Sequence, residues 1–114
     1  LGMLLANDGA VDGKQIIPKD YLLEATDWHR QPDTFKPLLA TPFFGYGYQF
    51  WLFPGEQRRF ALLGVYGQAI FVDPELKLVM VTTAATKTAD VVGESYPRER
   101  GALWRAIVAK YGSW

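Results

Sequence analysis

The chain contains no cysteine. Disulfides, zinc-thiolate sites and thiol redox chemistry are therefore excluded, while the compartment stays unassigned. Histidine is nearly absent as well, with His29 alone, and the only asparagine is Asn7. A lone histidine without cysteine leaves no set of ligands for a metal. No charge of one sign dominates: 12 basic residues face 12 acidic ones, scattered along the chain, which gives no electrostatic footprint for nucleic acid or an anionic membrane. Long hydrophobic runs are missing too. Apolar stretches such as Leu76 to Val81, which Lys77 interrupts, fall far short of the roughly 20 residues a membrane span requires.

What is present is a folding composition. Hydrophobic residues make up 49% of 114 positions, enough for one domain with a core and too many for disorder. Leu1 to Asn7 reads as the tail of an apolar helix closed by Asp8-Gly9, so the start is expected to be cut from a longer protein. A turn at Asp12-Gly13 follows, and Pro18 opens a short helix to about Thr26 with Tyr21, Leu22 and Ala25 on its buried face. From Asp27 to Pro42, prolines and polar residues break any period and predict an irregular loop.

Residues 45–53, 59–66, 67–73 and 76–84 read as strands, because aromatic and β-branched residues dominate them and turn signals separate them. Their short connections, Pro54 to Gln57 and Asp73 to Glu75, force antiparallel neighbours. Pro97 then opens a final helix to about residue 112, with Leu103, Trp104, Ile107, Val108 and Tyr111 on one stripe, Glu99 early, Lys110 late and Gly112 at the end. The expected fold is α+β, an antiparallel meander over 43–85 flanked by helices, in a single unit of 1–114.

Candidate chemistry is sparse. His29, after Trp28 at a helix end, suits a helix-terminal cation or a surface loop better than catalysis. Asp73 and Glu75 flank a hairpin, where aspartate serves turn geometry. Gly64-Val65-Tyr66-Gly67-Gln68 lacks the following helix that a phosphate-cradling loop needs, and Gly64 and Gly67 fit a bulge or a sharp bend. Alternation places Tyr46, Tyr48 and Phe50 on one face of their strand, either packed beneath a helix or offered as a stacking platform for carbohydrate or peptide.

Two glycine-aromatic segments, Gly45-Tyr46-Gly47-Tyr48-Gln49-Phe50-Trp51 and Gly64-Val65-Tyr66-Gly67-Gln68 leading to Asp73-Pro74, occur in a fixed order before a closing helix with Trp104. In this respect the chain resembles the C-terminal part of the β-lactamase and penicillin-binding-protein superfamily, in its branch of class C-like esterases and 6-aminohexanoate-dimer hydrolases. The resemblance implies a bacterial serine hydrolase, periplasmic or cytoplasmic, that needs no cofactor and acts on a small ester or amide through an acyl-serine intermediate. Its three-layer α/β/α domain would contribute its C-terminal strands here.

The superfamily's Ser-x-x-Lys and Tyr-x-Asn are absent, so no catalytic residue is expected in this chain, and the nucleophile and base are expected upstream. Leu62-Leu63-Gly64 takes the place of the Lys-Thr-Gly strand, with only Gly64 matching by type, which argues against β-lactams and for an ester or amide. The implied substrate-binding, oxyanion-side strand is Leu62, Leu63, Gly64, Val65, Tyr66 and Gln68, the donor shifting to Val65 or Tyr66 with register. The N-terminal remainder of the parent protein is the expected partner, and an uncovered sheet edge or face predicts self-association. The alternatives are a non-catalytic peptide- or glycan-binding module of the same fold, and a small interaction domain recruiting partners by strand addition.

Overall fold

In the computed structural model, which describes all of residues 1–114, helix α1 (Gly2–Ala6) runs into a small hairpin, β1 (Ala10–Val11) and β2 (Lys14–Gln15). Asp12 and Gly13 at its tip both take left-handed φ, at 49° and 74°, the geometry that tight hairpins demand. Helix α2 (Lys19–Thr26) begins directly after Pro18. Its last hydroxyl, on Thr26, donates to the Leu22 carbonyl at 2.6 Å and accepts from Arg58 at 2.7 Å.

The body of the chain is one antiparallel sheet in sequence order: β3 (Gly45–Tyr46), β4 (Trp51–Leu52), β5 (Phe60–Leu63), β6 (Ala69–Asp73) and β7 (Leu78–Thr82). The last long helix, α3 (Tyr96–Tyr111), has Pro97 in its first turn and ends at Gly112. No helix is long and apolar enough to cross a membrane.

Strand alternation sorts the sheet's side chains onto two covered faces. Leu52, Phe60 and Val72 pack with Leu5 and Ala6 of α1 and Leu22 of α2. Ala61, Ala69, Phe71 and Met80 point the other way, onto Trp104 and Val108 of α3. Helices therefore lie on both faces, and the architecture is α+β with three layers. α1 sits so tightly that a Cβ on Gly2 would come within 2.4 Å of Val79 Cγ1.

Several expected boundaries move. The segment 45–53 is not one strand: Gly47 and Phe50 exchange backbone hydrogen bonds at 2.9 and 3.3 Å, Gln49 turns at φ 69°, and β3 folds back on β4 with Tyr46 opposite Trp51. Strand 59–66 stops at Leu63, strand 67–73 begins at Ala69, and strand 76–84 covers only Leu78–Thr82. The irregular 27–42 loop contains two single 3₁₀ turns, Trp28–Arg30 and Asp33–Phe35. On α2, Thr26 rather than Tyr21 joins Leu22 and Ala25 in the interior. On α3 only Trp104 and Val108 are fully buried, while Leu103 and Tyr111 at the stripe's margins stay exposed.

Candidate functional site

β5 is paired unequally on its two sides. Toward β6 it is matched along its whole length, Phe60 with Val72 through Leu63 with Ala69. Toward β4 it is matched only at Phe60 and Ala61. Beyond Ala61 that edge is open. Gly64 N–H donates to the Gln68 carbonyl at 2.9 Å, so by antiparallel alternation Leu62 also bonds toward β6 and Leu63 turns its backbone groups to the open edge. The next N–H of that parity belongs to Val65.

Residues 64–68 form a turn with a definite shape. Val65–Gly67 is a 3₁₀ turn in which Tyr66 takes φ 60° and ψ 19°, followed by Gly67 at φ 94°. A left-handed tyrosine is disfavoured in isolation and persists where surroundings hold it. The loop after β7 does so: Tyr66 N–H donates to the Ala89 carbonyl at 3.1 Å, and Thr86 N–H donates to the Tyr66 carbonyl at 3.2 Å. Gly67 is required for space as well as for φ, because a Cβ there would stand 3.0 Å from both Thr86 Cγ2 and Tyr96 Cε1.

Among the expected oxyanion donors, this geometry discriminates. The N–H groups of Gly64 and Tyr66 are committed, to Gln68 and Ala89, whereas Val65 N–H engages no acceptor among the turn and loop hydrogen bonds. Tyr66, expected on a strand, lies in the turn because the loop bonds and its left-handed backbone carry it out of the ladder. The space beside Gly64 is filled by the Gln68 side chain, whose Oε1 would lie 3.1 Å from a Cβ at position 64.

Leu62, Leu63, Gly64 and Gln68 line an open groove of about 370 Å³ with Ile70 and Val81. Ala69, Thr82 and Thr83 complete its wall. Sequence reasoning placed the first four together but missed the β6 and β7 contributors, whose only sequence signal is the alternation that aligns Ile70 opposite both Leu62 and Val81. Nothing ionisable lines this groove. It can hold an apolar group, and its polar side chains are Gln68, Thr82 and Thr83.

The remaining candidates lie outside it. His29 stands in the 3₁₀ turn after α2, Nδ1 2.9 Å from Asp27 Oδ1 and ring stacked on Trp28 at 3.7 Å, with Nε2 3.9 Å from Glu56. No serine, threonine or lysine hydrogen-bonds to it. Ser95 caps α3 through its carbonyl, and the Ser113 carbonyl accepts from Arg59 at 2.6 Å. Asp33 is the carboxyl held below its ordinary value, by a hydrogen bond from Lys36 and that lysine's charge, on a fully exposed turn. Asp73 bonds Arg59 and the Leu76 N–H, while Glu75 makes neither contact. The aromatic platform is mostly consumed: Phe50 packs edge-on against Phe60, Phe44 against Phe53 and Trp51, and Tyr46 against Trp51, which leaves Tyr48 outermost beside Tyr21. No cluster of three or more histidine, cysteine or carboxylate side chains could hold a metal ion.

Comparison with known proteins adds one kind of information. No family model and no curated protein matches the chain. Among solved structures, 24 chains match. One of them, named "Putative 6-aminohexanoate-dimer hydrolase from Bacillus anthracis", superposes with a TM-score of 0.65 at 26% sequence identity, over 93% of this chain. This chain spans 27% of that chain's length. The likeness supports a β-lactamase-like hydrolase fold.

Proposed function

We propose that this chain is the C-terminal segment of a serine hydrolase and supplies the oxyanion-side strand of its active site, while the nucleophile and base lie outside these residues. The observation that carries the reading is the open edge of β5 beyond Ala61, where Leu63 and Val65 turn their N–H groups away from β6. In acyl transfer the substrate carbonyl oxygen gains negative charge as the serine oxygen adds to carbon. A fixed backbone N–H aimed at that oxygen stabilises the charge without needing a catalytic side chain. Val65 N–H is the donor of choice, since its neighbours on both sides are engaged. Leu62 and Leu63, which offer no charge to an anion, suit a small ester or amide better than an anionic β-lactam. The solved 6-aminohexanoate-dimer hydrolase is consistent with amide cleavage.

The test is Val65→Pro, which deletes the N–H and little else. Position 65 opens a 3₁₀ turn, where proline's fixed φ fits, and Gly64 already has the extended backbone (φ −104°, ψ 161°) that a following proline demands. In the full-length protein, hydrolysis of a chromogenic short-chain ester is expected to fall by about 10²- to 10³-fold, the usual cost of one oxyanion donor, with the melting temperature held. Labelling of the wild type by a serine-reactive phosphonate should proceed in the same preparation. Unchanged turnover in the proline variant would reject Val65 as the donor. A wild type that neither hydrolyses nor labels would favour a non-catalytic peptide- or glycan-binding module of the same fold, a reading that the lack of any ionisable group in the groove accommodates.

A further inference from the structure

Arg100, in the second turn of α3, has an unusual set of partners. Its Nη1 donates to the Gly67 carbonyl at 2.7 Å, across 33 residues of sequence. The guanidinium lies over the rings of Phe71 and Tyr96, 5.3 and 5.4 Å from their centroids. Its Nε is buried without any acceptor, and no carboxylate stands within 4.0 Å of it, since every ion pair in the chain involves other cations.

Partial burial of a guanidinium without a counter-ion is costly, and an apolar side chain would fill the same space between two rings at lower cost. What only the arginine provides is the charged hydrogen bond to the carbonyl of Gly67, the second of two consecutive left-handed residues. The turn is thus held from both ends. Backbone bonds from Thr86 and Ala89 hold Tyr66, and Arg100 holds Gly67, with the Tyr96 ring closing the space beside it. We propose that Arg100 is a positioning residue: by fixing the Gly67 carbonyl it holds residues 64–68 in the shape that aims Val65 N–H out of the open edge of β5. The role in turnover rests on the hydrolase reading above; the holding of the turn does not.

The experiment compares Arg100→Met, which keeps length and loses the donor, with Arg100→Lys, which keeps a charged donor. Amide hydrogen exchange is read at Gly64 and Tyr66, whose N–H groups bond within and across the turn, and at Phe71 and Val72 in the β6 ladder as controls. In Arg100→Met, exchange at Gly64 and Tyr66 is expected to quicken by about 10- to 100-fold with the β6 amides within about twofold, and Arg100→Lys should recover part of the protection. In the full-length protein, kcat toward the ester should fall for Arg100→Met while KM stays within about twofold, because the interaction lost is made in the transition state. Equal acceleration at Phe71 and Val72 would overturn the proposal by making Arg100 a general core residue. So would unchanged exchange at the turn, or faster exchange with kcat intact. A wild type inert toward esters would remove the hydrolase reading, and the exchange data would still decide whether Arg100 holds the turn.

Discussion

Arg59 and Asp73 form the most deeply buried ion pair in the chain, Nε to Oδ2 at 2.7 Å, with Asp73 fully inaccessible. The pair is well satisfied. Asp73 Oδ1 also accepts the Leu76 N–H at 2.9 Å, closing the β6–β7 turn, and Arg59 Nη2 reaches the Ser113 carbonyl while its guanidinium faces the Trp114 ring. One aspartate therefore ties a hairpin turn to the C-terminal end through an arginine. From sequence, Asp73 before Pro74 was legible as a turn residue; its ionic partner, fourteen positions earlier, was not, because pairing depends on the hairpin register. Removing one member leaves the other buried and unpaired, which costs about 3–5 kcal/mol. Asp73→Ala is thus expected to lose a large share of the roughly 5–15 kcal/mol that holds a domain folded, seen as a large drop in the urea midpoint. A loss below about 1 kcal/mol would mean that water reaches Arg59 and screens it.

At the scale of elements, β5, β6 and β7 were legible because their continuous apolar runs are rich in aromatic and β-branched residues and Asp73-Pro74-Glu75 marks the turn between two of them. The Gly45–Trp51 segment was misread for a physical reason. Aromatics alternating with glycine mimic a strand, yet here the glycines serve close backbone approach: a Cβ at Gly47 would lie 2.0 Å from the Ala25 carbonyl oxygen, and one at Gly45 2.7 Å from that of Phe35. Those neighbours come from α2 and the loop behind it, which no local pattern reveals. The left-handed Tyr66 was hidden in the same way, since Thr86, Ala89 and Arg100 impose it from elsewhere. Gly47→Ala is expected to cost about 3 kcal/mol by overpacking backbone against backbone. Gly13→Ala, at φ 74° with nothing within 4 Å of the new carbon, should cost only the left-handed penalty of about 1–2 kcal/mol. Urea titration of the two variants separates the terms; equal losses would show that the α2 contact yields freely.

Across the whole molecule the two faces of the sheet are covered unequally. α3 spans one face, whereas α1, five residues long, and α2 leave part of the other bare, so that Val81 is 62% exposed on the same side as Leu62, Ile70 and Val79. β7 is also an edge, hydrogen-bonded to β6 alone, with no proline and no charge between Leu78 and Thr82. An apolar edge strand without charge or proline invites another strand, and a net charge of zero supplies no repulsion against it. The 114-residue chain is therefore expected to self-associate through β7, with light scattering at high concentration giving a mass above the 12.8 kDa of one copy. Lysine on an edge strand is a natural block to such pairing, and at an exposed position it should change stability by no more than about 0.5 kcal/mol. Val81→Lys should return the chain to monomer with its melting temperature unchanged. A wild-type chain that stays monomeric throughout would show that the bare face and open edge tolerate water, and a Val81→Lys variant that still associates would move the contact to the other edge, at β3.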